Sequence, residues 1–237
     1  MKPEVICHIM SSVDGRLLPS RWTLPFGNTN QSELFKEYAA LGKSLNTDAW
    51  MFGKTTAREA FPYKFMPKTA NHPQPGKIHV GNRDSSRLFI TVDPDADIFY
   101  TSSCLRGDNI VTVLGTNATD DYLAMLEEKG ISYILLADAT ALTEALDVLY
   151  HTFGVRRISL QGGGIINGAM LAAGLITELS LVIYPGIDGL TTAPSIFEFL
   201  GASDERPAAG QSLELISSQT FDSGIVWLRY RFHREAV

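Results

Sequence analysis

Hydrophobic positions along this chain follow two spacings. Short, nearly unbroken runs read as strands buried on both faces of a sheet: Val5 to Met10, Ala49-Trp50-Met51-Phe52, Leu88 to Val92, Ile110 to Leu114, Ile131 to Leu136 and Arg157 to Leu160. Between them apolar residues recur every three or four positions, which predicts helices. The first opens at Asn30-Gln31-Ser32-Glu33, an Asn form of the capping box, and runs to about Leu45 with Leu34, Tyr38, Leu41 and Leu45 as its stripe. A short helix follows Gly53. Others cover Asp120 to Lys129, stopped by Gly130, and Thr140 to Thr152, ending near Gly154. After Gly162-Gly163-Gly164 the spacing of Ile165, Ile166, Ala169, Met170 and Ala173 predicts one more, stopped by Gly174. Glu178 to Tyr184 is a strand closed by Pro185-Gly186. Leu213 to Thr220 and Ile225 to Phe232 form a hairpin through Asp222-Ser223-Gly224.

Strands alternating with helices specify an α/β fold of three layers, a mostly parallel central sheet flanked by helices, finished by a C-terminal antiparallel hairpin. No repeat or linker splits the sequence, so residues 1–237 are expected to form a single domain. Periodicity fails only from about 61 to 87, where Pro62, Pro67, Pro73, Pro75, Gly76 and Gly81 mark a long loop on the active-site side. Ligands of such sheets sit outside the carboxyl ends of the strands, and the glycine turns at Gly53 and Gly162 both lie there.

The run Ile158-Ser159-Leu160-Gln161-Gly162-Gly163-Gly164 reads as strand, bare glycine turn and helix start. Glycine lets a ligand touch the backbone, and the free N–H groups at a helix start favour an anion such as a cofactor phosphate. Glycines also end strands and permit close helix packing. The dinucleotide pattern G-x-G-x-x-G is matched imperfectly, its last glycine falling on Gly168 instead of position 167.

Composition narrows the function classes. A chain of 237 residues, 45% hydrophobic and with net charge −6, can bury a substantial core and has no basic run to hold nucleic acid or anionic membrane. No segment approaches the ~18 apolar residues of a membrane span. Only Cys7 and Cys104 occur, and the N-terminus lacks a signal-peptide pattern, so a reducing cytoplasm is expected.

Several motifs are partial. Gly53-Lys54-Thr55 resembles the end of a P-loop, but Asp48 stands where its first glycine belongs. Thr55 and Thr56 fit equally a phosphate contact or a helix cap. Asp14 in Asp14-Gly15 either orients a substrate or closes its own turn, and Trp22 is either a flat lid over an aromatic ring or a core residue. His8, His72, His79, His151 and His233 show no metal-site spacing, and no serine sits in a G-x-S-x-G elbow. Lys64 and Lys68 are solvated, or reach a substrate phosphate if the long loop closes.

Taken in order, these segments resemble the reductase domain of riboflavin biosynthesis, within the dihydrofolate-reductase-like superfamily. Ser12-Val13-Asp14-Gly15-Arg16 is similar to its S-L-D-G-[RK]. Asp48-Ala49 with Gly53 and Thr56 is similar to D-A-x-x-x-G-x-x-T. Gln161-Gly162-Gly163, Leu171 and Gly174 to Leu179 are similar to its E-G-G … L-L … G-L-V-D-E-L, and Pro185 with Gly189 to the P-x-L-x-G that follows. The resemblance implies an NADPH-dependent reductase, usually a homodimer. It implies cofactor contacts at Gly162, Gly163, Gly164, Ile165, Ile166 and Asn167, with Gly53, Thr55, Thr56 and Trp22, and substrate contacts at Asp14 and Ser20. Gln161, Ser44 and Ala60 depart from it: the family carries Glu, Arg and Asp there, so recognition of a phosphoribosyl-pyrimidine is weakened. The expected activity is hydride transfer to a C=N or C=O bond of a small heterocycle. A riboflavin-pathway pyrimidine is the leading substrate and a pterin or folate the second. A non-catalytic nucleotide-binding module and a phosphotransferase using Lys54 are the rivals.

Overall fold

A computed structural model describes residues 1–27, 29–62, 71–85, 87–138 and 141–235. In chain order its elements are β1 (Glu4–Ser11), α1 (Gln31–Ser44), β2 (Ala49–Gly53), α2 (Lys54–Arg58), β3 (Ile78–His79), β4 (Leu88–Asp93), β5 (Cys104–Leu105), β6 (Asp108–Leu114), α3 (Asp120–Glu128), β7 (Ser132–Leu135), α4 (Leu142–His151), β8 (Arg157–Leu160), α5 (Gly164–Ala172), β9 (Glu178–Ile183), β10 (Gln211–Thr220) and β11 (Val226–Arg234). They fall into two compact units that share the chain. One comprises Met1–Pro3 and Asp48–Ile158, the other Glu4–Thr47 and Ser159–Val237.

In the first unit the strands run in the order β2-β4-β6-β7-β3, with β5 also on β6. β2, β4, β6 and β7 pair in parallel. β4 and β7 are buried along their whole length, as strands covered on both faces must be. Thr119 caps α3, its side chain accepting from the Tyr122 N–H at 3.3 Å, while Asp120 and Asp121 place negative charge in the first turn. Tyr122, Leu123 and Leu126 of that helix join Phe89, Ile98, Tyr100, Ile110, Leu114 and Tyr133 in the core. The buried Asp93 carboxylate ends β4 and accepts from the N–H groups of Asp97 and Ile98 at 2.9 and 3.0 Å.

In the second unit β1 pairs in parallel with β9, which pairs antiparallel with β11, and β10 forms the outer edge on β11. Ile6, Met10, Trp22, Leu34, Leu45, Val182, Tyr184 and Trp227 make its core. Asn30 caps α1, but its side chain accepts from Ser32 N at 2.9 Å, one residue before the N–H that the capping box would use. Of the stripe read from sequence, Leu34 and Leu45 are buried and Tyr38 and Leu41 are partly so.

Four local expectations change. The long loop contains β3, which pairs antiparallel with β7. β5 and β6 form a hairpin through Arg106 and Gly107, both at positive φ (53° and 90°), the backbone of a tight two-residue turn. The terminal hairpin extends to Gln211 and Arg234, since its main-chain pairing continues past the apolar residues that marked it. α4 is described from Leu142, and Thr140, Lys64 and Lys68 lie outside the described residues.

Candidate functional site

β8 carries the chain into the second unit and ends against the glycine turn. Gly162 has φ +84°, and the peptide to Gly163 is cis. Gly163, in extended backbone, is the N-cap of α5; no side chain caps it, and no acidic residue lies in the first helical turn. The first N–H groups of a helix have no partner within it. α5 therefore presents uncapped amides and the positive end of its dipole beyond a glycine, an arrangement that suits an anionic oxygen.

Not all of this turn is open, as the bare triplet suggested. A Cβ built on Gly164 would lie 2.4 Å from the Ser195 carbonyl oxygen and 3.0 Å from Glu198 Cγ. One on Gly168 would lie 2.0 Å from the Glu198 carbonyl oxygen. These two glycines admit the segment 195–198, which closes on the helix through Glu198 N to Gly164 O at 2.9 Å. Asn167 is fully buried and donates Nδ2 to Ile196 O at 2.9 Å, while its Oδ1 has no partner among the described residues. Ile166 is buried and Ile165 is 51% exposed. Glu198, which no motif signals, accepts from Ser195 N at 3.1 Å and sets a carboxylate near the helix start.

The loop after β1 is organised by Asp14. Its Oδ1 accepts from Ser12 Oγ at 2.6 Å and from Asp188 N at 3.1 Å, and its Oδ2 from Gly189 N at 2.8 Å. These donors, led by the Ser12 hydroxyl, hold its pKa down to about 2. Asp14 is thus an ionised anchor at neutral pH and carries no proton to give. Ser20 is exposed in a single 3-10 turn, Pro19–Arg21. Trp22 is 6% exposed and packs on Tyr184 and Phe35 with ring centroids 4.8 and 6.4 Å away. The flat-lid expectation gives way here: the indole belongs to the core of its unit, and its Nε1 has no partner among the described residues.

Gly53, Thr55 and Thr56 belong to the first unit. Gly53 is the N-cap of α2, so neither threonine caps that helix. Burial by itself would lower the Lys54 pKa, but its hydrogen bond to Asp95 and the charges of Asp97, Asp95 and Asp93 outweigh burial and raise it. Nζ pairs with Asp95 and lies 3.6 Å from Asp97, which also pairs with Arg58 at 3.0 Å. A lysine engaged by two carboxylates is poorly placed to neutralise a nucleotide phosphate, so the phosphotransferase rival loses its central residue. A cavity of about 130 Å³ beside it, lined by Arg58, Phe61, Pro62, Asp97, Ile98 and Phe99, is smaller than the ~300 Å³ at which ligand pockets begin. Among the described residues no group of three or more His, Cys, Asp or Glu could hold a metal, and no helix is long and apolar enough to cross a membrane.

The departures from the resemblance are also visible. Gln161 donates Nε2 to Ser159 Oγ at 3.1 Å, and the Ser44 hydroxyl donates back to Leu41 O at 2.6 Å. Both are neutral and both have a partner inside the chain.

Comparison with known proteins supplies the family. The model of the RibD C-terminal domain matches residues 3–227. A pyrimidine reductase-like protein of Corynebacterium diphtheriae superposes with TM-score 0.69 at 20% identity, over 98% of this chain and 93% of that one. Acinetobacter baumannii RibD gives 0.65 at 17% identity, over 98% of this chain but only 58% of its own length. The riboflavin biosynthesis reductase Rib7 of Saccharomyces cerevisiae gives 0.60 at 14%, over 98% and 90%. At such identities the likeness establishes the fold, a mostly parallel sheet with antiparallel terminal strands.

Proposed function

The chain belongs to the RibD C-terminal domain family and is an NADPH-dependent oxidoreductase, and from that premise we propose that it reduces a C=N or C=O bond of a 5-amino-6-(5-phosphoribosylamino)uracil-type pyrimidine. The observation that carries the reading is the uncapped start of α5 behind Gly162 and Gly163. NADPH supplies the hydride. The chain's task is to hold that donor about 3 to 3.5 Å from the acceptor carbon and keep water out.

In this reading the Gly162, Gly163 and Gly164 backbone and the amides of Ile165 and Ile166 hold cofactor phosphate, while Asn167, whose own N–H bonds Gly163 O at 3.2 Å, completes the cofactor segment. Gly53, Thr55 and Thr56 are further candidate cofactor residues by the family resemblance, whereas Trp22 serves the core of its own unit. Asp14 and Ser20 serve the substrate, Asp14 by fixing its turn and Ser20 by its exposed hydroxyl. Since Asp14 is ionised, the proton that completes the reduction comes from elsewhere. The two units work as one reductase domain, a view supported by a family match that runs through both. We take the enzyme to be cytoplasmic, consistent with its free Cys7 and Cys104, and homodimeric.

Titration with NADPH and NADH by fluorescence tests the cofactor site directly. Gly163 has φ −68° and ψ −167°, a conformation open to any residue, and circular dichroism of Gly163→Val checks that its fold is retained. Its NADPH affinity is expected to fall at least ~10-fold as a branched side chain crowds the phosphate. Unchanged affinity removes this placement. NADPH oxidation with the pyrimidine but not with dihydropterin or dihydrofolate supports the substrate class. The reverse preference would assign a pterin reductase, and binding without turnover a nucleotide-binding module.

A further inference from the structure

Ser20 lies in a turn too short to hold its own shape. A three-residue 3-10 segment fixes few dihedrals by its own hydrogen bonds, so whatever orients the Ser20 hydroxyl must come from outside it. Trp22, buried in the core, anchors one side. On the same side Arg21 reaches across to the turn after β9, where Nε lies 3.0 Å from Asp188 Oδ2 and 3.2 Å from Oδ1, and Nη2 donates to Oδ1 at 3.1 Å.

We propose that Arg21 and Asp188 are a positioning pair that sets Ser20 against the heterocyclic substrate. The inference rests on the reductase reading in taking Ser20 as a substrate contact. Exposed ion pairs usually contribute little, because water and salt screen them and both side chains lose freedom. Here the Asp188 side chain is 0% exposed while Arg21 remains 40% exposed, and the contact is the planar fork of guanidinium on carboxylate. The hydrogen bond from Arg21 leads in holding the Asp188 carboxyl below its usual pKa, joined by the Leu190 N–H and the Arg21 charge and opposed by burial.

The pair is one half of a reciprocal clasp. Asp14, from the loop, accepts from the backbone N–H groups of Asp188 and Gly189, while Asp188, from the turn, accepts from Arg21 of the loop and from Leu190 N at 3.1 Å. Main-chain bonds close the seam at both ends: Val13 N to Gly186 O at 2.8 Å and Thr23 N to Ile187 O at 3.0 Å. Ile187 N returns a bond to Thr23 Oγ1 at 3.0 Å. Gly186 allows this approach, since a Cβ there would lie 2.6 Å from Thr23 O. The Asp14 charge acts against the ionised Asp188 across the clasp, and Arg21 offsets it at Asp188. Removing it leaves the main-chain seam intact at its ends and takes away the side-chain tie beside Ser20, with Leu17 N to Pro194 O at 2.9 Å and Gln31 Nε2 to Pro19 O at 3.5 Å still holding the loop before it.

The test uses the full-length protein and the variants Arg21→Ala, Arg21→Lys, Asp188→Asn and Ser20→Ala. Arg21→Ala and Asp188→Asn are expected to raise KM for the pyrimidine on the order of tenfold or more, with the NADPH Kd unchanged. Arg21→Lys, which keeps the charge and loses the fork, falls between. Arg21→Ala combined with Ser20→Ala should cost no more than Ser20→Ala alone, because both act through one hydroxyl. Hydrogen exchange, read without substrate, should quicken at the Arg21 and Trp22 amides that close the turn in Arg21→Ala and stay the same in β9. Normal KM in both clasp variants, additive effects with Ser20→Ala, or unchanged exchange each overturns the proposal. A wild-type protein that neither binds nor oxidises NADPH sinks the reductase reading itself, a result separate from any of these.

Discussion

His8 shows how one buried side chain reports on its surroundings. It is 0% exposed in β1, stacked on the Tyr38 ring at 4.4 Å, with Nε2 at 3.2 Å from Tyr38 O and Nδ1 at 2.9 Å from Ser180 Oγ. A carbonyl only accepts, so Nε2 carries the proton and Nδ1 accepts from the Ser180 hydroxyl, whose oxygen accepts in turn from Trp227 Nε1 at 2.8 Å. The chain of donors is complete only with a neutral imidazole. Burial is the main cause that lowers its pKa from 6.5 to about 4, against the two hydrogen bonds that raise it. The unfolded chain therefore takes up a proton near pH 6.5 that the folded chain refuses until about pH 4. Stability is full above pH 6.5 and is lost as pH falls through this window, by about 3 kcal/mol. Urea unfolding at pH 7 and at successive steps down to pH 4 measures it. His8→Gln should flatten the slope in that range, and an equal slope in the variant would assign the loss to other groups.

At the scale of elements, α5 and the segment 195–198 show what a glycine can and cannot tell. Alanine is favoured over glycine inside a helix by about 1 kcal/mol. At position 168 that gain meets a Cβ 2.0 Å from a backbone oxygen, and relieving such an overlap costs about 1–3 kcal/mol by moving the segment. Gly168→Ala should therefore lower the Tm, where propensity alone would raise it; thermal unfolding by circular dichroism decides. Sequence exposed these glycines but not their neighbour, because 195–198 has no periodicity and touches α5 only in three dimensions. The elements that were legible, β1, β2, β4 and β8, are buried runs whose period needs no partner to be seen. β3 and β5, two residues each, are too short to show a period at all. The site divides likewise: the glycine turn, Asp14 and Ser20 stood out as motifs, whereas Arg21, Asp188 and Glu198 matter only through contacts that sequence spacing does not display. Trp22 was ambiguous for the same reason, its core role being set by Phe35 and Tyr184.

At the scale of the whole molecule, the outermost strand of the second unit is unfinished as a surface. β10 has no buried residue, yet Leu213 is 49% exposed, Leu215 54% and Ile216 37%. Leu213 and Leu215 share one face with their partners Phe232 and Tyr230 on β11, and the register slips at Ile216. Exposed edge strands of soluble proteins are usually guarded by charge, proline or cover, and contiguous apolar area left open marks an interaction surface. We propose that the homodimer of the proposed function would supply the cover, a second copy presenting the same apolar face. Light scattering after gel filtration should then give twice the chain mass, and Leu213→Lys with Leu215→Glu should give the single-chain mass. Because both substituted positions are solvent-exposed, the variant should keep its fold, with secondary structure and Tm near those of the wild type. A wild-type monomer removes the homodimer from the reading, and a dimer that survives both charges places its interface elsewhere on the molecule.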